Sequence, residues 1–304
     1  MNAASQWRFA VAQRLAPLYA ANLHVAAVLV GGSTARGHAD RFSDIELGVF
    51  WNEPPTDEER RTMIEQAGGD LHRLYPYDPA EVVWADDFML GRAVPDQPKT
   101  GVLLEVSHYT AGHINHLLDQ VLSQYDPDEV KQNLIAGIVD GLPLAHPELI
   151  QQWQQRARAY PDELAVAVIN RHAQIDHFWR WEMLLHRGEN LPLLYAAFNR
   201  IQQQLLYVLL GLNHEYYFGF KWLDVVIERL KIAPADLSQR LKQLYLVEPS
   251  MGAEQLTALV EETYNLIEQH LPGVDVERLR RIFRYRRPVW EDAPPGLASF
   301  IEVS

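Results

Sequence analysis

The sequence predicts an α+β fold: a small mixed sheet with its helices over residues 1–125, then an all-helical domain over 126–304. Two observations carry this. Short apolar runs ended by glycine or turn residues, with helical patterns between them, fill the first part. From Pro127 on, only amphipathic helical periodicity remains.

"MNAASQWRFAVAQRLAPLYAAN" has polar interruptions every three or four residues and reads as an amphipathic helix. It lacks the unbroken apolar stretch and cleavage site of a signal peptide. "HVAAVLVGG" (24–32) reads as a buried strand ended by glycines, and "SDIELGVFW" (43–51) as a second strand. Residues 54–69 carry helix signals, with Thr56 as N-cap, acids in the first turn and Gly68-Gly69 as a stop. Strand-like pieces follow at 73–77 and 81–88, then a turn at "QPKTG" (97–101) and a clear strand, "VLLEVSHYT" (102–110). A helix over 111–126 closes this part. Further helices are expected at 128–136, 147–158, 161–187, 192–213, 219–231, 235–245 and 252–270.

Composition narrows the class of function. Of 304 residues, 48% are hydrophobic and 22% charged, the balance of a folded chain. There is no cysteine, which excludes disulfides and thiolate metal sites. No run nears the roughly 18 apolar residues of a bilayer span, so the expectation is a cytoplasmic protein without a membrane partner. A net charge of −13 argues against general nucleic-acid binding and suits a cationic small molecule or a basic protein.

"GGSTARGHADRFSDIELGVFW" (31–51) departs from ordinary scaffold. Side chains i and i+2 of a strand share a face, so Asp44 and Glu46 point the same way. Two carboxylates held that close either face water or bind a cation between them, and hard divalent ions prefer such oxygens. Backbone N–H groups at Gly31-Gly32-Ser33 suit phosphate oxygens, with the Ser33 hydroxyl as a further donor. Arg36 and Arg41 stand in the same loop.

Gly-Gly-Ser, a loop, then Ser-Asp-Ile-Glu on a strand resembles the signature of the DNA polymerase β-like nucleotidyltransferase superfamily. "GSTARG" followed by "SDIE" is similar to the kanamycin nucleotidyltransferases. "LLEVSHYT" is similar to the strand of streptomycin and spectinomycin adenylyltransferases in which a Leu-Glu-Val segment supplies the general base. The likeness spans residues 25 to 110. It implies that Asp44 and Glu46, with Glu105 as third carboxylate, bind one or two Mg²⁺ ions. It also implies that Gly32 and Ser33 hold the β- and γ-phosphates of ATP or another nucleoside triphosphate, with Arg36 nearby. An acceptor hydroxyl, oriented or deprotonated by Glu105, would then attack the α-phosphorus and release pyrophosphate. The implied acceptor is a small molecule of the aminoglycoside kind, which would make the protein an antibiotic-resistance enzyme. A protein acceptor, as in toxin–antitoxin nucleotidyltransferases, and a non-catalytic nucleotide sensor are the alternatives.

The helical part offers candidates without a motif. Asp176 or Glu182 could supply a carboxylate to the cleft, and Arg180 lies beside them. Asn199, Arg200, Asn213 and Lys221 could line the nucleotide pocket, Lys221 foremost because a lysine between aromatics suits a triphosphate. His113 and His116 form a His-x-x-His pair with no third ligand in register. Six arginines in "ERLRRIFRYRR" (277–287) either pair with the chain's own acids or meet a polyanion.

Overall fold

Asn2 opens the first helix, its side chain accepting from the Ser5 N–H, and α1 (Ala3–Ala20) buries Ala12, Leu15, Ala16 and Tyr19 at helical spacing. In this computed structural model residues 1–91, 101–176 and 179–297 are described. The chain divides into two compact units, Met1–Ala167 with 214–219, and Val168–Asn213 with 220–304.

In the first unit, β1 (Val25–Val30), α2 (Gly32–Arg36) and β2 (Ile45–Trp51) precede α3 (Asp57–Gln66). Thr56 caps α3 as expected, in a reciprocal box with Glu59. Then come β3 (Asp70–Leu74), β4 (Trp84–Leu90), β5 (Val102–Thr110), α4 (Ala111–Ser123), α5 (Glu129–Asp140), β6 (Leu142–Ala145) and α6 (Pro147–Ala157). The turn expected at 97–101 falls almost wholly outside the described residues.

Among the described residues the strands form a six-stranded mixed sheet in the order β3-β4-β5-β2-β1-β6, in which β2 and β5 run parallel and the other neighbouring pairs antiparallel. One face is apolar. Ile45, Leu47, Val49 and Trp51 of β2, Leu104 and Val106 of β5, and Phe88 of β4 pack there with α1 and with Met63 and Ile64 of α3. The same side buries a charged network. Arg60 reaches Asp86 at 2.6 Å, and His108 Nε2 lies 2.8 Å from the other Asp86 oxygen. Trp51 donates its indole N–H to His108 Nδ1 at 3.0 Å, which leaves the imidazole proton on Nε2, facing Asp86.

The opposite face carries Glu46, Gly48 and Phe50 on β2 and Glu105, Ser107 and Tyr109 on β5. Helix α6 covers part of it, Trp153 meeting Phe50 edge-on at 4.9 Å. β6 was not expected from sequence: Pro143 reads as a loop signal, but at a sheet edge a residue without an N–H is tolerated.

α7 (Asp162–His172) runs across the division between units. The second unit continues with α8 (Trp179–Arg187), α9 (Leu191–Leu212), α10 (Leu223–Glu228), α11 (Leu237–Gln243), α12 (Pro249–His270) and α13 (Val276–Phe283). The single helix expected over 161–187 is instead broken after His172. The carbonyls there find side-chain donors in place of the next helical turn. Gln204 donates to His172 and Gln174, and Tyr264 donates to Ala173 at 2.9 Å.

Candidate active site

The loop between α2 and β2 is held against the start of α1. Asn2 donates to the Ala39 carbonyl and Ser5 Oγ accepts from the Ala39 N–H, 2.9 and 3.0 Å. Arg8, 4% exposed, grips the Ser43 carbonyl with two guanidinium nitrogens at 3.0 and 2.7 Å. That carbonyl immediately precedes Asp44, so a buried fork on α1 fixes where β2 begins and where the Asp44 side chain starts. Burial lowers the Arg8 pKa, while Asp40 and Asp44 act in the opposite direction.

Strand register brings the acids together. Glu46 lies directly opposite Glu105 across the parallel β2–β5 pair. Glu105 in turn lies opposite Asp87 across the antiparallel β4–β5 pair. Asp44 lies close enough to the Glu105 carboxyl to raise its pKa. The Glu105 pKa is pushed up to about 7 by desolvation, then by the charges of Asp44, Asp87 and Glu46. Tyr75 donates its hydroxyl to Asp87 at 2.9 Å, and that bond raises the phenol's own pKa.

The donors are all carboxylate oxygen, the kind that hard divalent cations prefer, and desolvation followed by their mutual repulsion raises the pKa of Glu105. Among the described residues, no group of three or more His, Asp or Glu side chains is arranged to hold a metal ion. Mg²⁺ does not need one, because it commonly takes one or two carboxylates and completes its shell with waters and phosphates.

Gly32 abuts the same acids. Its φ is +57°, and a Cβ built there would fall 1.9 Å from Glu46 Oε1, so the Glu46 carboxylate rests where a side chain would be. The Gly31 N–H donates to the Glu46 carbonyl at 2.9 Å, fastening the glycine turn to β2. The first intrahelical bond of α2 runs from Ala35 to Gly31, so the N–H groups of Gly32 and Ser33 have no intrahelical acceptor. Asp44, Glu46, Glu105, Gly32 and Ser33 are thus neighbours in the first unit.

Arg36 is also in that unit, ion-paired through Nε to Asp140 at 2.7 Å and lying 4.9 Å from the Phe218 ring. Lys221 lies in the second unit, exposed in the turn before α10. There too, Asp176 pairs with Arg180 and Arg200, and Glu182 with Arg286. The Asn213 side chain holds the chain at 231–232 through three hydrogen bonds. Of the arginine-rich segment, Arg280 and Arg284 meet Glu261, and Arg280 also meets Glu268.

Asp87, Tyr75 and Arg8 were not singled out by sequence reasoning. The "ADD" of β4 was the available signal for Asp87, because the alternation of a strand assigns one aspartate to each face.

No curated protein matches the chain. A family model described as a domain of unknown function (DUF4037) matches residues 128–223. Among solved structures, the chain is similar to a nucleotidyltransferase-like protein from Exiguobacterium sibiricum 255-15. That likeness has 13% identity, covers 88% of this chain and 80% of that one, and has a TM-score of 0.39.

Proposed function

We propose that the protein is a Mg²⁺-dependent nucleotidyltransferase that moves a nucleoside monophosphate, AMP from ATP, onto a hydroxyl of a small molecule. The observation that carries this reading is the convergence of Asp44, at the entry to β2, with Glu46 and Glu105 of the parallel β2–β5 pair, beside a glycine turn whose first N–H groups have no intrahelical acceptor. Bound by Asp44 and Glu46, Mg²⁺ would supply charge neutralisation for the phosphates.

The protein groups do the rest. Gly32 and Ser33 offer N–H donors, and Ser33 a hydroxyl, to phosphate oxygens. Glu105, with a pKa near working pH, takes the proton of the acceptor hydroxyl. The acceptor oxygen forms a bond to the α-phosphorus as the bond from that phosphorus to the bridging oxygen breaks, and pyrophosphate leaves. Arg36, locked to Asp140 and beside Phe218, acts by shaping the end of α2 rather than as a loose arm.

The test is direct. Incubating the protein with MgCl₂, each labelled nucleoside triphosphate and a panel of amino- and neutral sugars should release pyrophosphate and label one acceptor. Asp44→Ala should remove the signal, a loss of about 10³-fold or more, with an unchanged circular dichroism spectrum. Activity equal to wild type in Asp44→Ala would sink the reading.

A further inference from the structure

The apolar face of the sheet buries charges that the site itself does not touch. Arg60 and Asp86 are each 1% exposed, and His108 and Trp51 are wholly buried. They form one chain of directional bonds. Arg60 reaches one Asp86 oxygen at 2.6 Å, and His108 donates from Nε2 to the other at 2.8 Å. The Trp51 indole donates to His108 Nδ1 at 3.0 Å. Arg60 also donates to the carbonyls of Ala85 and Tyr75, at 3.3 and 3.1 Å. Stability alone does not account for this network. Taking two charges out of water is costly, and apolar residues of similar volume often serve a core as well or better.

The members of the network sit on the strands that carry the acids. Asp86 is on β4, His108 on β5 and Trp51 on β2. On the other face the same three strands present Asp87, Glu105 and Glu46 in a row, Asp87 opposite Glu105 and Glu105 opposite Glu46. Tyr75 joins the two faces, because Arg60 holds its carbonyl while its hydroxyl donates to Asp87 at 2.9 Å. The backbone ladders decide which residues face each other. They leave the twist between neighbouring strands free over roughly 10–35°, and twist changes the separation of the side chains on the acid-bearing face. Bonds that need Asp86, His108 and Trp51 at set angles across three strands remove that freedom.

We propose that Asp86 and His108 are positioning residues: with Arg60 and Trp51 they lock β4, β5 and β2 at one mutual angle and so hold Asp87, Glu105 and Glu46 in a close row. That these acids serve nucleotidyl transfer rests on the nucleotidyltransferase reading; that the network holds them together does not.

The coupling between Asp87 and Glu105 reports their separation, because like charges repel more strongly the closer they are held. It is measured at pH 8 without metal, by urea unfolding of the wild type, Asp87→Asn, Glu105→Gln and the double variant. The cycle is repeated in His108→Leu, which loses both bonds, and in His108→Gln, whose amide can donate to Asp86 and accept from Trp51. His108→Leu should cut the coupling about twofold or more, and His108→Gln should restore it. Val49→Ala, which opens a cavity in the same apolar face, should lower the urea midpoint and leave the coupling unchanged. Should His108→Leu fail to fold, His108→Asn takes its place, since its shorter amide cannot reach both partners. Pyrophosphate release is followed in parallel. In His108→Leu kcat should fall about tenfold while KM for ATP changes less, and His108→Gln should recover. An undiminished coupling in His108→Leu, or an equal loss in Val49→Ala, overturns the proposal. If the wild type releases no pyrophosphate while the coupling falls as described, the transferase reading fails and the positioning role stands. If the wild type turns over but the coupling ignores His108, only the positioning role falls.

Discussion

Gly32 and Glu46 contend for one volume, which makes the glycine the most constrained residue of the site. With φ at +57° and a would-be Cβ 1.9 Å from Glu46 Oε1, Gly32→Ala meets two separate costs. The left-handed conformation costs about 1–2 kcal/mol for a residue with a Cβ. The clash is relieved only by swinging the Glu46 carboxylate off the site. The variant should therefore stay folded, with its urea midpoint lowered by that modest amount, while kcat/KM falls about 100-fold, as a misplacement of about 1 Å produces. A variant that loses stability but keeps its rate would show that the position of the Glu46 carboxylate is not critical. At this scale, the placing of Glu46 and Glu105 on strands was legible because strand periodicity is local. The closeness of Gly32 to Glu46 and the facing of Glu105 by Asp87 were not, since each depends on strand register set by residues far apart in the chain.

Among the elements, α1 has a role that its amphipathic pattern conceals. Arg8 sits within a helix otherwise read for its apolar stripe, and nothing local distinguishes it from a surface arginine. Its two bonds to the Ser43 carbonyl make α1 a brace for the segment entering β2. Arg8→Ala should lower stability by about 1.5–3 kcal/mol, the scale of hydrogen bonds from a charged group. It should also lower kcat more than it raises KM for ATP, because Asp44 shifts while the glycine turn remains. Arg8→Lys, which can make one bond but not the fork, should fall between the two. Thermal melts and steady-state kinetics on the three proteins check this ordering. Equal kcat in all three would reduce Arg8 to a purely structural residue. Other elements show the same limit on what sequence tells. The strands at 25–30, 45–51 and 102–110 were legible from apolar runs and turn residues. β6 was hidden by Pro143, and the break after His172 by donors from α9 and α12 that no local pattern announces.

For the whole molecule, a buried histidine and an exposed carboxylate on opposite faces of the sheet give stability a pH dependence of opposite signs. Glu105 is raised from 4.5 to about 7, so its contribution is fully present below about pH 4.5 and is lost as pH rises through 7. His108 is lowered by burial, so its contribution is present above 6.5 and is lost as pH falls through its folded value. The two windows overlap below about pH 7, so in the metal-free protein the two effects oppose each other there and both are level above it. Only the loss on rising pH should respond to Mg²⁺, because a cation bound at the carboxylates favours the ionised form of Glu105. Thermal melts from pH 5 to 8.5 test this. MgCl₂ should raise Tm at pH 8 and have little effect at pH 5, where Glu105 holds its proton. Glu105→Gln should remove the loss on rising pH between about 4.5 and 7 without metal, and leave the loss on falling pH unchanged. A Mg²⁺ effect of the same size in Asp44→Ala would place the ion elsewhere on this acidic chain. A Mg²⁺ effect independent of pH would separate metal binding from the titration of Glu105.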